Sequence, residues 1–220
     1  MEQESYKIVY QGGTGEIVEK KSRFIAIVRS IETEEQALQI IADRKKEYRD
    51  ASHHCSGYVA GITHQLQRCS DDGEPSKTAG RPILDVLLGE DIHNALVVVT
   101  RYFGGTLLGT GGLVRAYQKA TQMALENSII LEKYIGRELE IHTEYGDIGK
   151  IQYLLAQNNI NITDTQYTEQ VIIKVVVAAN KQTMLKEIIT EGTNGAAAIL
   201  LGKPVEFGLL EGKVLLFPRT

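Results

Sequence analysis

Five glycines lie within nine residues near the middle of the chain, where their backbone could bind an anion. A β-branched apolar run at 95–100 precedes this glycine loop (104–112), and an apolar stripe of helical spacing follows it. Backbone N–H groups at such a strand-to-helix loop can converge on an anion at the positive end of the helix dipole. The alternative is that the glycines only permit a tight turn and close packing. The residues predicted to bind phosphate here are Gly104, Gly105, Thr106, Gly109, Gly111 and Gly112.

Basic side chains accompany the glycine loop. Residues 92–125 contain Arg101, Arg115 and Lys119 but no Asp or Glu, and Arg115 and Lys119 are four positions apart, which places them on one helix face. The formal net charge of the chain is −4, which argues against nucleic-acid binding over the whole surface. The pattern therefore predicts a local phosphate-binding groove, to which we also assign Arg81.

An acidic loop (70–82) places Asp71, Asp72 and Glu74 among turn-forming residues. Carboxylate oxygens in such a loop suit a hard cation or a general base. The alternative is ordinary turn chemistry, in which Asp side chains bond nearby backbone amides. The spacing is not that of an EF-hand, and we expect these carboxylates to line the same groove as the glycine loop.

His53, His54 and Cys55 follow one another at or just before a predicted strand, and Cys69 comes later. Histidine and cysteine ligate zinc, but neighbouring side chains on a strand point to opposite faces. We therefore expect one histidine to face the core and the other to face the groove. The sequence predicts no metal site, no cofactor and no catalytic residue, and a Cys–His nucleophile pair has no specific support in it. The two cysteines are expected to be unpaired thiols.

The elements that must position these residues can be read from the spacing of apolar positions. The first half predicts a strand at 23–30, a helix that begins after the capping box Thr33-Glu-Glu-Gln36 and ends near Tyr48, and a strand pair at 55–62 and 66–69. The continuous apolar run at 95–100 predicts a central strand buried on both faces. The helix after the glycine loop carries its apolar face at Leu113, Ala116, Tyr117, Ala120 and Ala124.

After Gly136 the element types alternate in the order βαββαβ. Strands are predicted at 138–143, 160–167, 170–179 and 213–217, and helices at 146–157 and 181–191, the second capped by Asn180. This order is that of a ferredoxin-like domain, in which two helices cover one face of an antiparallel sheet. We place the domain boundary between residues 135 and 136.

The composition is that of an ordinary globular protein, with 43% hydrophobic and 24% charged residues in 220. No apolar run is long enough for a bilayer span, and the first residues lack the apolar stretch of a secretion signal. These features predict a cytoplasmic protein with no membrane partner.

Several segments together resemble the IMPACT family, in its bacterial, YigZ-type branch. They are Lys21-Ser-Arg-Phe24, Ala51-Ser-His-His-Cys55, Ser70-Asp-Asp-Gly-Glu-Pro-Ser76, Thr78-Ala-Gly-Arg-Pro82, and the stretch from Val99 through the glycine loop to Tyr117. The resemblance spans the chain, but these motifs lie between residues 21 and 117. Lys77 and Gln118 stand where the family pattern has glycine.

The resemblance implies a two-domain α+β protein. The N-terminal domain, 1–135, would share the left-handed βαβ topology of a ribosomal-protein domain and of GHMP kinases. The C-terminal domain, 136–220, would be a ferredoxin-like βαββαβ domain resembling domain V of elongation factor G. Eukaryotic members of the family regulate translation initiation by blocking activation of the amino-acid-starvation kinase.

The function expected from these observations is that of a translation-associated regulator that binds RNA or the ribosome through the N-terminal groove. A small anionic ligand would fit the same groove. The alternative is an enzyme that acts on a small phosphorylated or carboxylated metabolite there.

Overall fold

A computed structural model of the chain describes residues 4–217, which form two compact units. The N-terminal unit is Tyr6–Leu131, and the C-terminal unit comprises residues 132–217 together with residues 4 and 5. Both units are α+β, with helices packed on sheets. None of the helices in the described part of the chain has the length and hydropathy of a membrane span.

The N-terminal unit is built on a five-stranded sheet in the order β2-β3-β7-β4-β5. Each strand is antiparallel to its neighbours. A short additional pair, β1 with β6, is parallel. The elements of this unit are β1 Ser5–Gln11, β2 Thr14–Glu19, β3 Ser22–Ser30, α1 Glu34–Glu47, β4 His53–Ala60, β5 Leu66–Ser70, α2 Gly80–Gly89, β6 Ile92–His93, β7 Ala95–Tyr102 and α3 Thr110–Glu126.

The central strand β7 is buried on both faces, as its apolar run predicts. Val97 and Val99 belong to the core under α2 and α3, whereas Leu96 and Val98 belong to the core under α1. Because side chains alternate along a strand, such a run can supply two cores at once only when helices cover both faces of the sheet. The sheet therefore carries α1 on one side and α2 with α3 on the other.

Helix α1 begins and ends where its sequence predicts. Thr33 is its N-cap and accepts a hydrogen bond from the backbone N–H of Gln36, and Tyr48 is the C-cap. Two acidic residues occupy the first turn and three basic residues the last, which suits the helix dipole.

The sequence predicts a loop at 70–82 and no element between 83 and 94, so helix α2 is absent from the expected elements. The helix starts at Gly80. Pro82 is tolerated in the first turn because the N–H groups there have no acceptor within the helix, so the N–H that proline lacks is not needed. No residue next to the helix caps it through a side chain. The carboxylate of Asp71 accepts the N–H groups of Ala79 and Gly80 instead, at 3.0 and 2.8 Å. A cap supplied from eight residues away leaves no local pattern in the sequence.

The C-terminal unit has the predicted βαββαβ order and one additional strand. Its elements are β8 Ile129–Thr143, α4 Ile148–Gln157, β9 Ile162–Tyr167, β10 Val171–Ala178, α5 Gln182–Gly192, β11 Ala198–Leu210 and β12 Lys213–Phe217. The antiparallel order is β12-β11-β8-β10-β9, so that the four strands of the motif, β8 to β11, pair as in a ferredoxin-like sheet. Both helices pack on one face through the core of Leu139, Ile141, Ile151, Ile173 and Leu185.

Two predicted details of this unit are wrong. The strand that closes the ferredoxin-like motif is β11, whereas 213–217 forms β12, the outer partner of β11 in a hairpin. Strand β11 contains Pro204, and its register to β8 shifts between Leu201 and Pro204, so it lacks the regular alternation by which a strand is recognised. Asn180 does not cap α5, because it lies in a 3-10 turn and its amide donates to the carboxylate of Glu4.

Candidate functional site

A cavity of about 300 Å³ lies in the N-terminal unit between the acidic loop and the start of α3. Two of its lining residues, Glu74 and Arg101, form a buried ion pair with a distance of 2.5 Å between Oε1 and Nη1. Their side chains are 3% and 5% exposed. A buried charge is tolerated only when it is paired and hydrogen-bonded. Arg101 is therefore neutralised inside the protein, and its charge is not available to an external phosphate.

Further polar groups hold this pair in place. Tyr117 Oη donates to Glu74 Oε1 at 2.8 Å, and Arg101 Nη2 donates to Ser22 Oγ at 3.2 Å. The Arg101 guanidinium also lies 5.2 Å from the ring centre of Phe24 and 5.6 Å from that of Phe103. The elements β3, β7 and α3 and the acidic loop thus meet at one buried carboxylate and one buried guanidinium.

The two adjacent histidines point to opposite faces of β4. The Nδ1 atom of His53 lies 2.9 Å from the carbonyl oxygen of Asp72, and Nε2 lies 3.9 Å from Glu74 Oε1. Because a carbonyl oxygen only accepts, Nδ1 carries the proton in the neutral ring, which leaves the lone pair on Nε2 on the side of Glu74. His53 lines the cavity.

His54 is buried in the protein interior instead, where it contacts other residues of the fold. The residue is 7% exposed, and its ring lies between Thr100 Oγ1, at 3.2 Å, and the carbonyl oxygen of Tyr48, at 3.1 Å. Burial lowers the pKa of His54, so the ring is neutral at physiological pH. His54 therefore does not share the cavity with His53.

Hydrogen bonds and an ion pair within the protein explain why Asp71 and Asp72 are acidic. Asp71 accepts three backbone N–H groups, from Lys77 at 2.8 Å and from the two residues at the start of α2. Asp72 accepts the N–H of His54 at 2.7 Å and pairs with Lys45 at 2.5 Å. Partial burial would raise the pKa of Asp72, but the hydrogen bonds from Lys45 and His54 outweigh that effect and hold the pKa below its usual range. Turn chemistry thus explains both residues, and of the predicted acidic residues only Glu74 reaches the cavity.

Lys77 has a backbone conformation that explains why glycine is expected at this position. Its φ of 64° lies in the left-handed region, which glycine adopts without steric cost. Gln118 lies partly buried within α3, one residue after Tyr117.

Cys55 lies behind the cavity and is not a nucleophile at neutral pH. Its thiol is 3.3 Å from Tyr117 Oη and donates to the carbonyl oxygen of Asp71 at 3.0 Å. Burial raises the pKa of the Cys55 thiol far above its usual range, and the carboxylates nearby act in the same direction. Only the thiolate attacks electrophiles, so the protonated thiol packs and donates instead.

This environment predicts that the two cysteines react at very different rates. In the folded protein at neutral pH, the aromatic disulfide reagent DTNB is expected to modify Cys69, which is exposed, and to leave Cys55 unmodified until urea is added. Partial burial also raises the pKa of Cys69, so its reaction should be slower than that of a small free thiol. Absorbance of the released thiolate measures both phases. Cys69→Ser should remove the reaction of the folded protein entirely, and equal reaction of both thiols before unfolding would contradict the assignment.

The glycine loop has steric reasons for several of its glycines. A Cβ atom at Gly104 would lie 2.1 Å from the backbone of Lys21, and the N–H of Gly104 donates to Ser22 Oγ at 3.1 Å. Gly105 and Gly109 have φ values of 79° and 72°. Gly109 is the N-cap of α3, and no side chain among the described residues caps this helix end. The tight-turn explanation therefore holds for these three glycines, while the uncapped helix end borders the cavity.

Arg115 and Lys119 do not line this cavity. Together with Lys20 they line a separate cleft of about 240 Å³, which we call the cationic cleft. The remaining residues of its lining are Ile17, Glu19, Leu108, Gly112 and Ala116. Leu108 contributes to both spaces, so the cavity and the cationic cleft lie on either side of one loop residue.

The residues predicted to line a single groove thus lie in two separate spaces and in the protein interior. The cavity holds His53, Glu74, Arg101 and Gly109, and the cationic cleft holds Gly112, Arg115 and Lys119. Thr106 and Gly111 are exposed but line neither space. Arg81 lies on the exposed side of α2, where it pairs with Asp85 at 2.7 Å.

Sequence reasoning missed Lys20 and the polar role of Tyr117. Tyr117 was assigned to an apolar helix face, where its hydroxyl was the one indication that a buried polar partner exists. Lys20 lies in the turn between β2 and β3 with a φ of 45°, far along the chain from Arg115, so no sequence spacing connects the two.

Comparisons with known proteins identify the family. The Impact N-terminal domain model matches residues 20–125, and the domain of unknown function DUF1949 matches residues 141–196. IMPACT family member YvyE of Bacillus subtilis is 38% identical over 90% of this chain and 92% of its own length. IMPACT family member YigZ of Escherichia coli is 36% identical over 82% of this chain and 90% of its own length. A crystal structure of a hypothetical protein aligns with a TM-score of 0.59 and 34% identity, covering 91% of this chain and 98% of that one. The chain belongs to the IMPACT family.

Proposed function

We propose that this protein binds the phosphates of structured RNA, free or within the ribosome, through the cationic cleft, and that it acts in translation. The observation that carries the proposal is the convergence of Lys20, Arg115 and Lys119 on one cleft. Within residues 4–217, no carboxylate forms an ion pair with any of the three. Their charges are therefore available to an external anion, unlike the charge of Arg101.

The arrangement of the three cations suits a polyanion better than a small anion. Arg115 and Lys119 are exposed and one turn apart on α3, and Lys20 comes from the hairpin turn between β2 and β3. Each cation that neutralises a phosphate releases condensed counterions, which makes the binding favourable and sensitive to salt. Glu19 is the one acidic residue in the lining, so the cleft is net positive although the chain is net negative.

The role in translation is supported by the family resemblance rather than by the cleft. IMPACT-family proteins of eukaryotes, as described above, act on translation initiation. A local phosphate-binding surface is what a protein needs to associate with RNA of the translation machinery without reading base sequence.

The double variant Arg115→Ala/Lys119→Ala tests the proposal. Its affinity for a structured RNA should fall on the order of 10-fold, and the slope of log K against log salt should flatten by about 2, which is about 1 for each lost phosphate contact. Fluorescence anisotropy with labelled RNA, and co-sedimentation with purified ribosomes, measure binding at several salt concentrations. The melting temperature should be unchanged because both side chains are exposed.

A matched control is the double variant Lys150→Ala/Lys186→Ala, which removes the same charge from exposed positions on α4 and α5. It should bind like the wild type. Equal loss of affinity in both double variants would show that only overall charge matters and would overturn the proposal. Unchanged affinity and salt slope in Arg115→Ala/Lys119→Ala would place the RNA interface elsewhere.

The cavity supports a second candidate function, an enzyme or binding protein for a small phosphorylated or carboxylated metabolite. One observation favours it: the Nε2 lone pair of His53 lies at the cavity beside a buried carboxylate and an uncapped helix N-terminus. A ring nitrogen so placed can exchange a proton with a ligand. Absence of saturable RNA and ribosome binding by the wild type would make this the better-supported function.

A further inference from the structure

Three possible metal-binding side chains converge at the end of the N-terminal unit's sheet, away from the residues discussed so far. His64 lies in the turn between β4 and β5, and Asp91 and His93 lie just before and within β6. One ligand atom from each lies within 4.8 Å of those from the other two, the one such group in the described part of the chain. The two imidazole rings stack with centroids 3.8 Å apart and planes inclined by 14°. Neither the cavity nor the cationic cleft includes any of the three.

His93 is buried without an aligned hydrogen-bond partner. The residue is 1% exposed, and among the residues that the structure describes none forms a well-aligned hydrogen bond with its Nδ1 or Nε2. Asp91 Oδ1 is 3.2 Å from Nε2, and the backbone of Gly61 is nearby, but neither is aligned with the ring. A buried polar atom without a partner costs free energy, so native structures rarely contain one unless it has a further role. A metal ion would provide a partner for one of the two ring nitrogens.

The hydrogen bond of His64 shows which of its two ring nitrogens has the lone pair. Its Nε2 lies 3.0 Å from the carbonyl oxygen of Ile92. A carbonyl oxygen only accepts, so Nε2 carries the proton and Nδ1 has the lone pair. Metal-ligating histidines are commonly held in one tautomer by such a bond from their other nitrogen.

We propose that His64, Asp91 and His93 bind a divalent transition-metal ion, with Zn²⁺ as the best fit. Two neutral imidazoles and one carboxylate are ligands that Zn²⁺ prefers, whereas Mg²⁺ and Ca²⁺ prefer oxygen ligands alone. Three protein ligands leave a fourth position for water, and the Asp91 side chain is 66% exposed, which provides a route from solvent.

Metal binding requires a small local rearrangement. Zn–N distances of about 2.0–2.1 Å in tetrahedral geometry place ligand atoms about 3.4 Å apart. The ligand atoms must therefore move closer together, and His64 must rotate out of its stack on His93, since a ligating nitrogen directs its lone pair in the plane of its ring. His64 is half-buried in the turn between β4 and β5, and its rotation exchanges the stack on His93 for a bond to the ion. The bound ion would join the β4–β5 turn to β6.

The test uses the full chain, without an affinity tag and stripped of metal by a chelator. Isothermal titration with Zn²⁺ should show saturable binding of one ion per chain. Titration with Co²⁺ should produce the visible absorption bands of a low-coordinate site with nitrogen ligands. The melting temperature should rise as Zn²⁺ is added, because the ion binds the folded state only.

Two variants leave the buried His93 intact and are expected to fold. His64→Asn and Asp91→Asn both replace residues with φ of 52° and 54°, a conformation that asparagine tolerates. Each should weaken Zn²⁺ binding by at least about 10-fold, since even the loss of a group behind a ligand has an effect of that size. His142→Asn, a histidine change in the C-terminal unit, should leave binding unchanged. The proposal is wrong if the wild type shows no saturable binding, or if His64→Asn and Asp91→Asn bind Zn²⁺ as tightly as the wild type.

Discussion

Replacing Arg101 by Met is expected to lower the free energy of unfolding by about 3–5 kcal/mol, because it leaves the carboxylate of Glu74 buried without its counter-charge. The Glu74 side chain is 3% exposed, so solvent stabilises its charge far less well than the guanidinium does. Tyr117 and the more distant His53 would still be near the carboxylate, but Tyr117 offers one neutral hydrogen bond only. Urea unfolding followed by circular dichroism measures the effect through the shift in midpoint.

Two further variants separate the ion pair from simple loss of packing. Arg81→Met changes the same residue type in an exposed pair and should cost less than about 0.5 kcal/mol, because solvent screens that pair. The double variant Glu74→Gln/Arg101→Met should be more stable than Arg101→Met alone, since it also removes the unpaired charge. An equal loss of stability in Arg101→Met and in the double variant would mean that the buried charge is not the cause.

Replacing Asp71 by Ala is expected to destabilise the N-terminal unit by about 2–4 kcal/mol. The carboxylate accepts three backbone N–H groups, and hydrogen bonds to a charged acceptor contribute about 1.5–3 kcal/mol each when considered singly and less when grouped on one residue. Two of these donors begin α2, and the residues that bear them, Ala79 and Gly80, are buried. Their N–H groups would have no acceptor in the variant.

Hydrogen exchange gives the specific measurement for this variant. The amides of Lys77, Ala79 and Gly80 should lose protection in Asp71→Ala, while amides in β7 should change only as far as global stability does. Asp85→Ala removes an exposed carboxylate from the same helix and serves as the control. Unchanged protection at Ala79 and Gly80 in Asp71→Ala would contradict the role of Asp71 as the distant cap of α2.

Local patterns in the sequence were sufficient to predict most of the helices and strands. Thr33 and the charges that follow it predict both ends of α1, and the apolar run at 95–100 predicts the buried centre of a sheet. The order βαββαβ in the second half predicts a ferredoxin-like arrangement. These predictions succeed because capping, strand burial and helix periodicity act over a few neighbouring residues. Helix α2 and strand β11 were missed because a distant cap and a register shift at Pro204 have no such local pattern.

For the candidate site residues too, some features follow from local sequence and others depend on partners that are distant along the chain. The alternation of side chains along β4 is a local rule, and it correctly separates His53 from His54. The partner of each charge is not local: Glu74 neutralises Arg101 from 27 residues away, Lys45 pairs with Asp72 from the same distance, and Lys20 joins Arg115 only in the folded unit. The sequence by itself determined which residue types were present and which elements carried them. The tertiary structure decided which charges are neutralised inside the protein and which are exposed to a ligand, because electrostatic interactions depend on distance in space and on burial rather than on separation along the chain.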